Sequence, residues 1–286
     1  MRYEYDGSGH SRRNLPHNHD DFEENGLIPI ERGSDGQSYQ PARQKVGTTV
    51  DLVPPQLRLQ EASPFIVTSA KEISPHRSLC MALRPESAAS QQYRTLRFKL
   101  KEGQNPRLIG ITSAVPQEGK TTVAANLGLA LAEGRKVRVM LLDLNLRAPA
   151  LARRFGLSVF GSLADQLRLR QRKPDARWEV MQLQDQLHLM AGGEPVDNPS
   201  PLLNSDQMAA LINDLAAHYD HVVVDLPGVL VAADAGSIQD YLDTLILACR
   251  SGFSRRSSVS NAVSRLGPRR LHGVLMLDVD GRFVAY

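Results

Sequence analysis

The sequence predicts a doubly wound α/β domain on a mainly parallel sheet, preceded by a disordered polar arm. Three observations carry this expectation. From about residue 85 onward, strand-like and helix-like segments alternate, as in chained βα units. Several strand-like segments are almost unbroken apolar runs (VRVMLLD, HVVVD, TLILAC), the texture of strands covered on both faces. Residues 109–126 read IGITSAVPQEGKTTVAAN: a short apolar run, a turn, then an Ala/Leu-rich helical stretch.

In chain order, residues 1–63 are polar, with few aliphatics and much Gly, Pro, His, Asn and acid. Such a segment buries too little apolar surface to offset its ordering entropy, so a disordered arm is expected. His17, His19, Asp20 and Asp21 repeat no ligand spacing and read as a solvated acidic tract. Residues 64–84 are ambiguous and read as a linker. The folded domain is expected over 85–286. A helix is expected over 85–101, with Tyr93, Leu96 and Leu100 on one stripe and Arg94 and Arg97 beside it. Strands are expected near 108–113, 137–143, 187–191, 221–226, 243–249 and 271–277. Helices are expected near 120–133, 147–155, 162–170, 206–218, 233–240 and 256–266.

The 286 residues carry a net charge of +3 with the signs well mixed, which neither requires nor excludes a nucleic acid. Arg168, Arg170, Arg172 and Lys173 lack interleaved aromatics and read as a solvated helix face, as do Arg255 and Arg256; no nucleic-acid partner is expected. Cys80 and Cys249 match no metal or redox spacing. No apolar run reaches the ~18 residues of a membrane span, and the first residues lack a hydrophobic signal region. A cytoplasmic protein is expected, peripheral at the inner face of the membrane only through a partner.

The chemistry concentrates in the turn after the first core strand. Gly119-Lys120-Thr121-Thr122, between strand and helix, is the context of a phosphate-binding loop. Backbone N–H groups of the turn and the helix dipole favour phosphate there. Gly119 allows close backbone approach, Lys120 would reach the β- and γ-phosphates, and Thr121 would hold Mg²⁺. The usual first glycine of such loops is Ala114 here. Two further carboxylates, Asp143 and Asp225, end apolar strands and can hold Mg²⁺ directly or through water.

Taken together and in order, these segments resemble the catalytic domain of bacterial tyrosine kinases of capsule and exopolysaccharide systems, within the MinD/ParA-like group of P-loop ATPases. Ser113–Thr122, with Pro116 and Glu118, resembles the family's Walker A segment. Asp143–Pro149 resembles its Walker A′, and Asp225-Leu226-Pro227 its Walker B. Ala191-Gly192-Gly193 through Asn198-Pro199 and Leu202-Leu203, His218-Tyr219-Asp220, and Asp234 also fit. The resemblance implies ATP and Mg²⁺ as ligands. Pro116, Glu118, Gly119, Lys120, Thr121 and Thr122 would line the nucleotide, and Thr121, Asp143 and Asp225 would hold the metal and its waters. Lys120, Asp143, Asp225 and Arg147 would serve phosphoryl transfer, with Arg147 near the phosphates or a subunit contact. It further implies a membrane-spanning polysaccharide chain-length regulator as partner, and tyrosine autophosphorylation.

Four departures bear on activity. The second Walker A′ carboxylate is Asn145, whose amide cannot take a proton from a tyrosine hydroxyl, which weakens transfer more than binding. The family's tyrosine-rich tail is represented by Tyr286. The family's oligomer motif E-x-x-R-x-x-R reads Gln91-x-x-Arg94-x-x-Arg97, keeping two arginines for a homo-oligomer contact without the carboxylate. No asparagine stands near Leu275–Asp278 to meet an adenine. Two alternatives stay open. One is a catalytically degenerate ATP-binding regulator or slow ATPase of the same complex. The other is a MinD/ParA-type positioning ATPase, disfavoured because its signature lysine is Val115 here and VDGRFVAY is too short for an amphipathic membrane helix. The absence of an N-K-x-D run disfavours a GTPase.

Overall fold

A computed structural model describes residues 27–28, 63–103, 105–134, 136–158, 161–232, 238–267 and 270–278. The expectations for Asp234, Tyr286, His17, His19, Asp20 and Asp21 therefore lie outside the described residues. The strands are β1 (Leu27–Ile28), β2 (Phe65–Ser69), β3 (Leu108–Ser113), β4 (Val139–Asp143), β5 (Trp178–Gln184), β6 (Leu187–Met190), β7 (His221–Asp225), β8 (Thr244–Arg250) and β9 (Leu271–Leu277). The helices are α1 (Cys80–Leu83), α2 (Ala88–Glu102), α3 (Lys120–Ala132), α4 (Leu151–Arg154), α5 (Leu163–Arg172), α6 (Ser200–Leu203), α7 (Asp206–His218) and α8 (Arg256–Leu266), with a 3-10 turn at Gln239–Tyr241.

The strands form one sheet in the order β1-β9-β8-β3-β7-β4-β6-β5-β2. The six strands from β9 to β6 run parallel, which is the doubly wound core. β5 is antiparallel to β6, β2 follows β5, and β1 is antiparallel to β9. Alternate residues of the parallel strands feed two cores. On one face Ile109, Ile111, Leu141, Val223 and Ile246 pack under α2, α3 and α4. On the other, Met140, Leu142, Val222, Val224 and Leu247 pack under α5, α7 and α8. This two-sided burial explains why the strands read as continuous apolar runs.

Helix α3 is apolar almost all round because it lies between the sheet and α2, and 12 of its 13 residues are buried. Gly128 lets it settle on β4, since a Cβ there would stand 2.6 Å from Leu141 Cδ2. Helix α2 begins at Ser87, whose hydroxyl accepts from Ser90 N, and buries the expected stripe of Tyr93, Leu96 and Leu100.

Several elements differ from expectation: β1 falls within the stretch read as a disordered arm, α1 within the linker, and α6 where no helix is expected. β5 has the alternation of a half-buried strand, with Trp178 and Val180 inward and Glu179 outward, but its turn to β6, Asp185-Gln186, lacks glycine or proline as a marker. β2, within the stretch 64–84, is an edge strand with only Phe65 buried, so it carries almost no periodic signal. The helix expected over 147–155 is reduced to Leu151–Arg154. Pro149 disfavours helical backbone at Ala148, and a side chain from β4 takes over the capping.

Candidate nucleotide site

The parallel register brings the chemistry to one end of the sheet. Asp143 and Asp225 are direct cross-strand partners at the carboxyl ends of β4 and β7. Ile111 pairs with Asp225, so the loop leaving β3 begins beside the same carboxylates. Ligands of open α/β sheets bind at this carboxyl edge.

The loop 114–119 is held in an unusual path. Gln117 has φ 69° and Gly119 φ 95°. A left-handed non-glycine residue in such a turn is a strained position of the kind found at ligand-binding loops. Glu118 is fully buried and curls back, its Oε2 accepting from Val115 N at 2.9 Å, while its Oε1 has no hydrogen-bond partner. Ala114 replaces the usual glycine without obstruction, being completely buried and accepting from Leu230 N. A Cβ on Gly119 would stand 2.2 Å from Leu277 Cδ1 at the end of β9. Gly119→Ala is therefore expected to strain the loop and weaken nucleotide binding about 5- to 150-fold, from a steric and backbone penalty of about 1–3 kcal/mol. A binding titration checks this.

Three groups converge where α3 starts. Thr121 Oγ1 donates to Asp225 Oδ2 at 2.7 Å. Lys120 Nζ donates to Thr121 Oγ1 at 3.3 Å and lies 3.7 Å from Asp225 Oδ1. That Oδ1 is buried without a hydrogen-bond partner. Asp143 is also buried; its Oδ2 accepts from Ala150 N and Leu151 N at 2.9 and 3.0 Å, and its Oδ1 from Asn145 N at 3.2 Å. It is the side chain that caps the shortened α4.

Burial and then the neighbouring Asp225 charge push the Asp143 carboxyl up to about 7, against the pull of two backbone N–H groups and Lys120. Asp225 is raised chiefly by burial, and Lys120, Thr121 and Arg154 act in the opposite direction. Two buried carboxylates, one of them with an orphaned oxygen, and one hydroxyl form a hard oxygen donor set suited to a divalent cation. The N-terminal N–H groups of α3 and the Lys120 ammonium suit phosphate oxygens. These residues fit a metal-bound nucleotide.

The structure thus brings together Gly119, Lys120, Thr121, Asp143 and Asp225, with Glu118 bracing the loop from inside. Pro116 is exposed on the loop's outer side, and Thr122 follows in the first turn of α3. Arg147 is exposed beyond Asp143 and donates to the Asp197 carbonyl. Asn145 is buried and its amide donates to the Ala148 carbonyl at 2.7 Å. Arg94 and Arg97 both meet a carboxylate of their own chain. Arg94 binds Glu133 through Nε and Nη2, at 2.6–3.0 Å, and Arg97 Nη1 reaches the same carboxylate at 3.0 Å.

Two residues escape sequence reasoning. Asn126 is fully buried in α3, donating to the Ser78 and Thr122 carbonyls and accepting from Met81 N, so it ties the first turn of α3 to the segment before α2. A lone amide in an otherwise apolar helix was the available signal. Arg154 is half-buried and braced by His76 Nδ1 and Ser78 Oγ; burial lowers its affinity for the proton, with the Asp225 charge pulling the other way. Nothing in the sequence marked it.

The comparisons with known proteins agree with this geometry. Residues 109–265 match the CobQ/CobB/MinD/ParA nucleotide-binding domain. The tyrosine-protein kinase YwqD of Bacillus subtilis (strain 168) is 32% identical over 207 residues, 70% of this chain and 85% of that protein. The tyrosine-protein kinase Etk of Escherichia coli (strain K12) is 30% identical over 188 residues, 64% of this chain. The match covers 25% of Etk, so the chain spans only about a quarter of that relative's length. The solved kinase domain of Escherichia coli Etk is similar with a TM-score of 0.62 at 25% identity, over 73% of this chain and 82% of that domain.

Proposed function

We propose, from the fact that this chain belongs to the bacterial tyrosine-kinase family within the CobQ/CobB/MinD/ParA nucleotide-binding group, that it is an Mg-ATP-dependent tyrosine autokinase. Its role would be to regulate capsule or exopolysaccharide synthesis and export. The observation that carries the reading is the hydrogen bond of Thr121 to Asp225, with Lys120 beside it and Asp143 in register across the strand pair.

In this reading Thr121, Asp225 and Asp143 hold the metal, directly or through water. Mg²⁺ supplies charge neutralisation for the phosphates. Lys120 exchanges its contact with Asp225 for the β- and γ-phosphates. Gly119 and the first N–H groups of α3 orient the phosphate chain, and Arg147 adds positive charge at the rim. Catalysis rests on positioning and charge, the pattern of phosphoryl transfer in general.

The partner would be a membrane-spanning chain-length regulator, with the chain held at the inner face of the membrane through it. Among the described residues no helix is long and apolar enough to cross a membrane. A homo-oligomer through Arg94 and Arg97 would have to compete with their pairing to Glu133 in the same chain.

One observation favours the second reading, a regulator that binds Mg-ATP without efficient transfer. The Asn145 amide is committed to the Ala148 carbonyl and offers no base. Asn145→Asp is expected to raise phosphotransfer several-fold while nucleotide affinity changes less than ~2-fold. It should also cost about 1 kcal/mol of stability through the lost hydrogen bond. Labelled phosphate on protein, measured against nucleotide affinity in both forms, tests this; equal changes in the two would remove the assigned role of position 145. Incubation with γ-labelled Mg-ATP tests the function itself. Protein-bound label that disappears in Lys120→Ala marks a kinase, and phosphate release without labelled protein marks a regulatory ATPase.

A further inference from the structure

Arg154, the last residue of α4, is a half-buried cation that meets no acid. Among the described residues no carboxylate lies within ion-pair distance of it, whereas Arg94, Arg97, Arg168, Arg250 and Arg270 each meet one. Its Nη1 lies 3.3 Å from His76 Nδ1 and 3.4 Å from Ser78 Oγ, and neither of these carries a negative charge. Its Nε and Nη2 make no hydrogen bond among the described residues. Holding a guanidinium partly out of water without a counter-ion costs desolvation free energy. Such a planar head, with donors left over, suits the oxygens of a phosphate.

The head is held from a part of the chain outside the phosphate loop. His76 N donates to the Arg154 carbonyl at 2.8 Å and Ser74 N to the Phe155 carbonyl at 2.9 Å, so residues 74–78 run along the end of α4. His76 Nδ1 and Ser78 Oγ stand 2.9 Å apart, and both touch the guanidinium. The Ser78 carbonyl accepts from Asn126 Nδ2 at 3.0 Å. The same nitrogen donates at 3.0 Å to the Thr122 carbonyl, in the first turn of α3. The brace on Arg154 is thus tied to the helix that opens on the phosphates.

Its place along the site follows from the strand order. The phosphate loop leaves β3, Asp225 ends the neighbouring β7, and Asp143 ends β4 beyond it. In phosphate-loop sites the metal bridges the β- and γ-phosphates. Its candidate donors Asp225 and Asp143 therefore mark the end of the site where the terminal phosphate belongs. Helix α4 follows β4 and is capped by Asp143 through Ala150 N and Leu151 N. Arg154 lies at that same end, and with Lys120 it is a cation whose charge favours the ionised form of Asp225.

We infer that Arg154 is a phosphate-binding residue of this site, gripping the terminal phosphate of ATP through the donors that His76 and Ser78 leave unused. The inference rests on the Mg-ATP reading above. A cation at that position offsets charge that ATP carries and ADP lacks, so Arg154 distinguishes the two nucleotides where the loop and the helix N–H groups do not.

The test is calorimetric titration of the full chain with Mg²⁺ and a non-hydrolysable ATP analogue and, separately, with Mg²⁺ and ADP. Wild type is compared with Arg154→Ala and Arg154→Lys, and thermal unfolding without nucleotide verifies that each is folded. Arg154→Ala is expected to lose at least ~10-fold in affinity for the analogue and less than ~2-fold for ADP. Arg154→Lys keeps the charge near Asp225 and so reports even where the alanine variant does not fold. Its ammonium replaces the planar fork by a point contact, and a loss of about 3-fold confined to the analogue is expected. Equal losses for the two nucleotides, or unchanged affinity for the analogue, would overturn the assignment and leave the nucleotide site standing. A folded wild type that binds neither nucleotide would overturn the Mg-ATP reading and this inference with it.

Discussion

Lys120→Ala is expected to abolish Mg-ATP binding, raising Kd at least ~100-fold. The loss corresponds to roughly 3 kcal/mol, about two charge-assisted hydrogen bonds to phosphate oxygens. Lys120 is also the cation 3.7 Å from Asp225, whose side chain is completely buried. Removing it leaves that carboxylate facing Asp143 without a counter-charge, so the variant should also unfold at lower temperature. Lys120→Arg separates the two consequences. It keeps the charge near Asp225 and should recover most of the stability, but its planar head fits the phosphate position poorly. Calorimetric titration and thermal unfolding of both variants check this. Unchanged nucleotide affinity in Lys120→Ala would remove the phosphate-loop assignment.

Asp143→Asn is expected to give the opposite pairing of effects, with greater stability and weaker cation binding. In the wild type, burial and the Asp225 charge hold the Asp143 carboxyl protonated up to about 7, whereas the unfolded chain releases that proton near 4. The folded state thus binds the proton more tightly. Its contribution to stability is full below about pH 4 and is lost as pH rises through about 7. An asparagine carries no such penalty and can still accept from Ala150 N and Leu151 N, although it loses the bond from Asn145 N. At pH 8 without divalent cation the variant should therefore be more stable, by an order of 1–3 kcal/mol after that loss. The gap between variant and wild type should widen from pH 4 to pH 7. His188 and His221, whose basicity is lowered by burial, shift both proteins alike and cancel in the difference. Denaturant unfolding across that range measures it, and a gap independent of pH would contradict the buried, charge-coupled state of Asp143.

The core was legible because two-sided burial writes long apolar runs into β4, β7 and β8, and because βα order follows from alternation. The site was legible because its groups stand at strand ends and at a glycine-lysine-threonine turn, where chain geometry alone puts them at one edge. The less readable parts were those decided by contacts distant in sequence. β2 is a strand because β5 offers it backbone partners, not because FIVTS has a periodic pattern. Helix α4 is short because Asp143, seven residues earlier, caps it from the neighbouring strand end. The pairing of Arg94 and Arg97 with Glu133 at the end of α3 is likewise a contact distant in sequence that no local pattern marks.

A crystal structure of the full chain with Mg²⁺ and a non-hydrolysable ATP analogue tests the central claim most directly. The account predicts the metal about 2.1 Å from Thr121 Oγ1, with Asp225 and Asp143 holding it or its waters. Lys120 Nζ should have moved from Asp225 to the phosphates, and the triphosphate should lie against the N–H groups that open α3. A nucleotide bound elsewhere, or Lys120 still paired with Asp225 beneath bound phosphates, would contradict it.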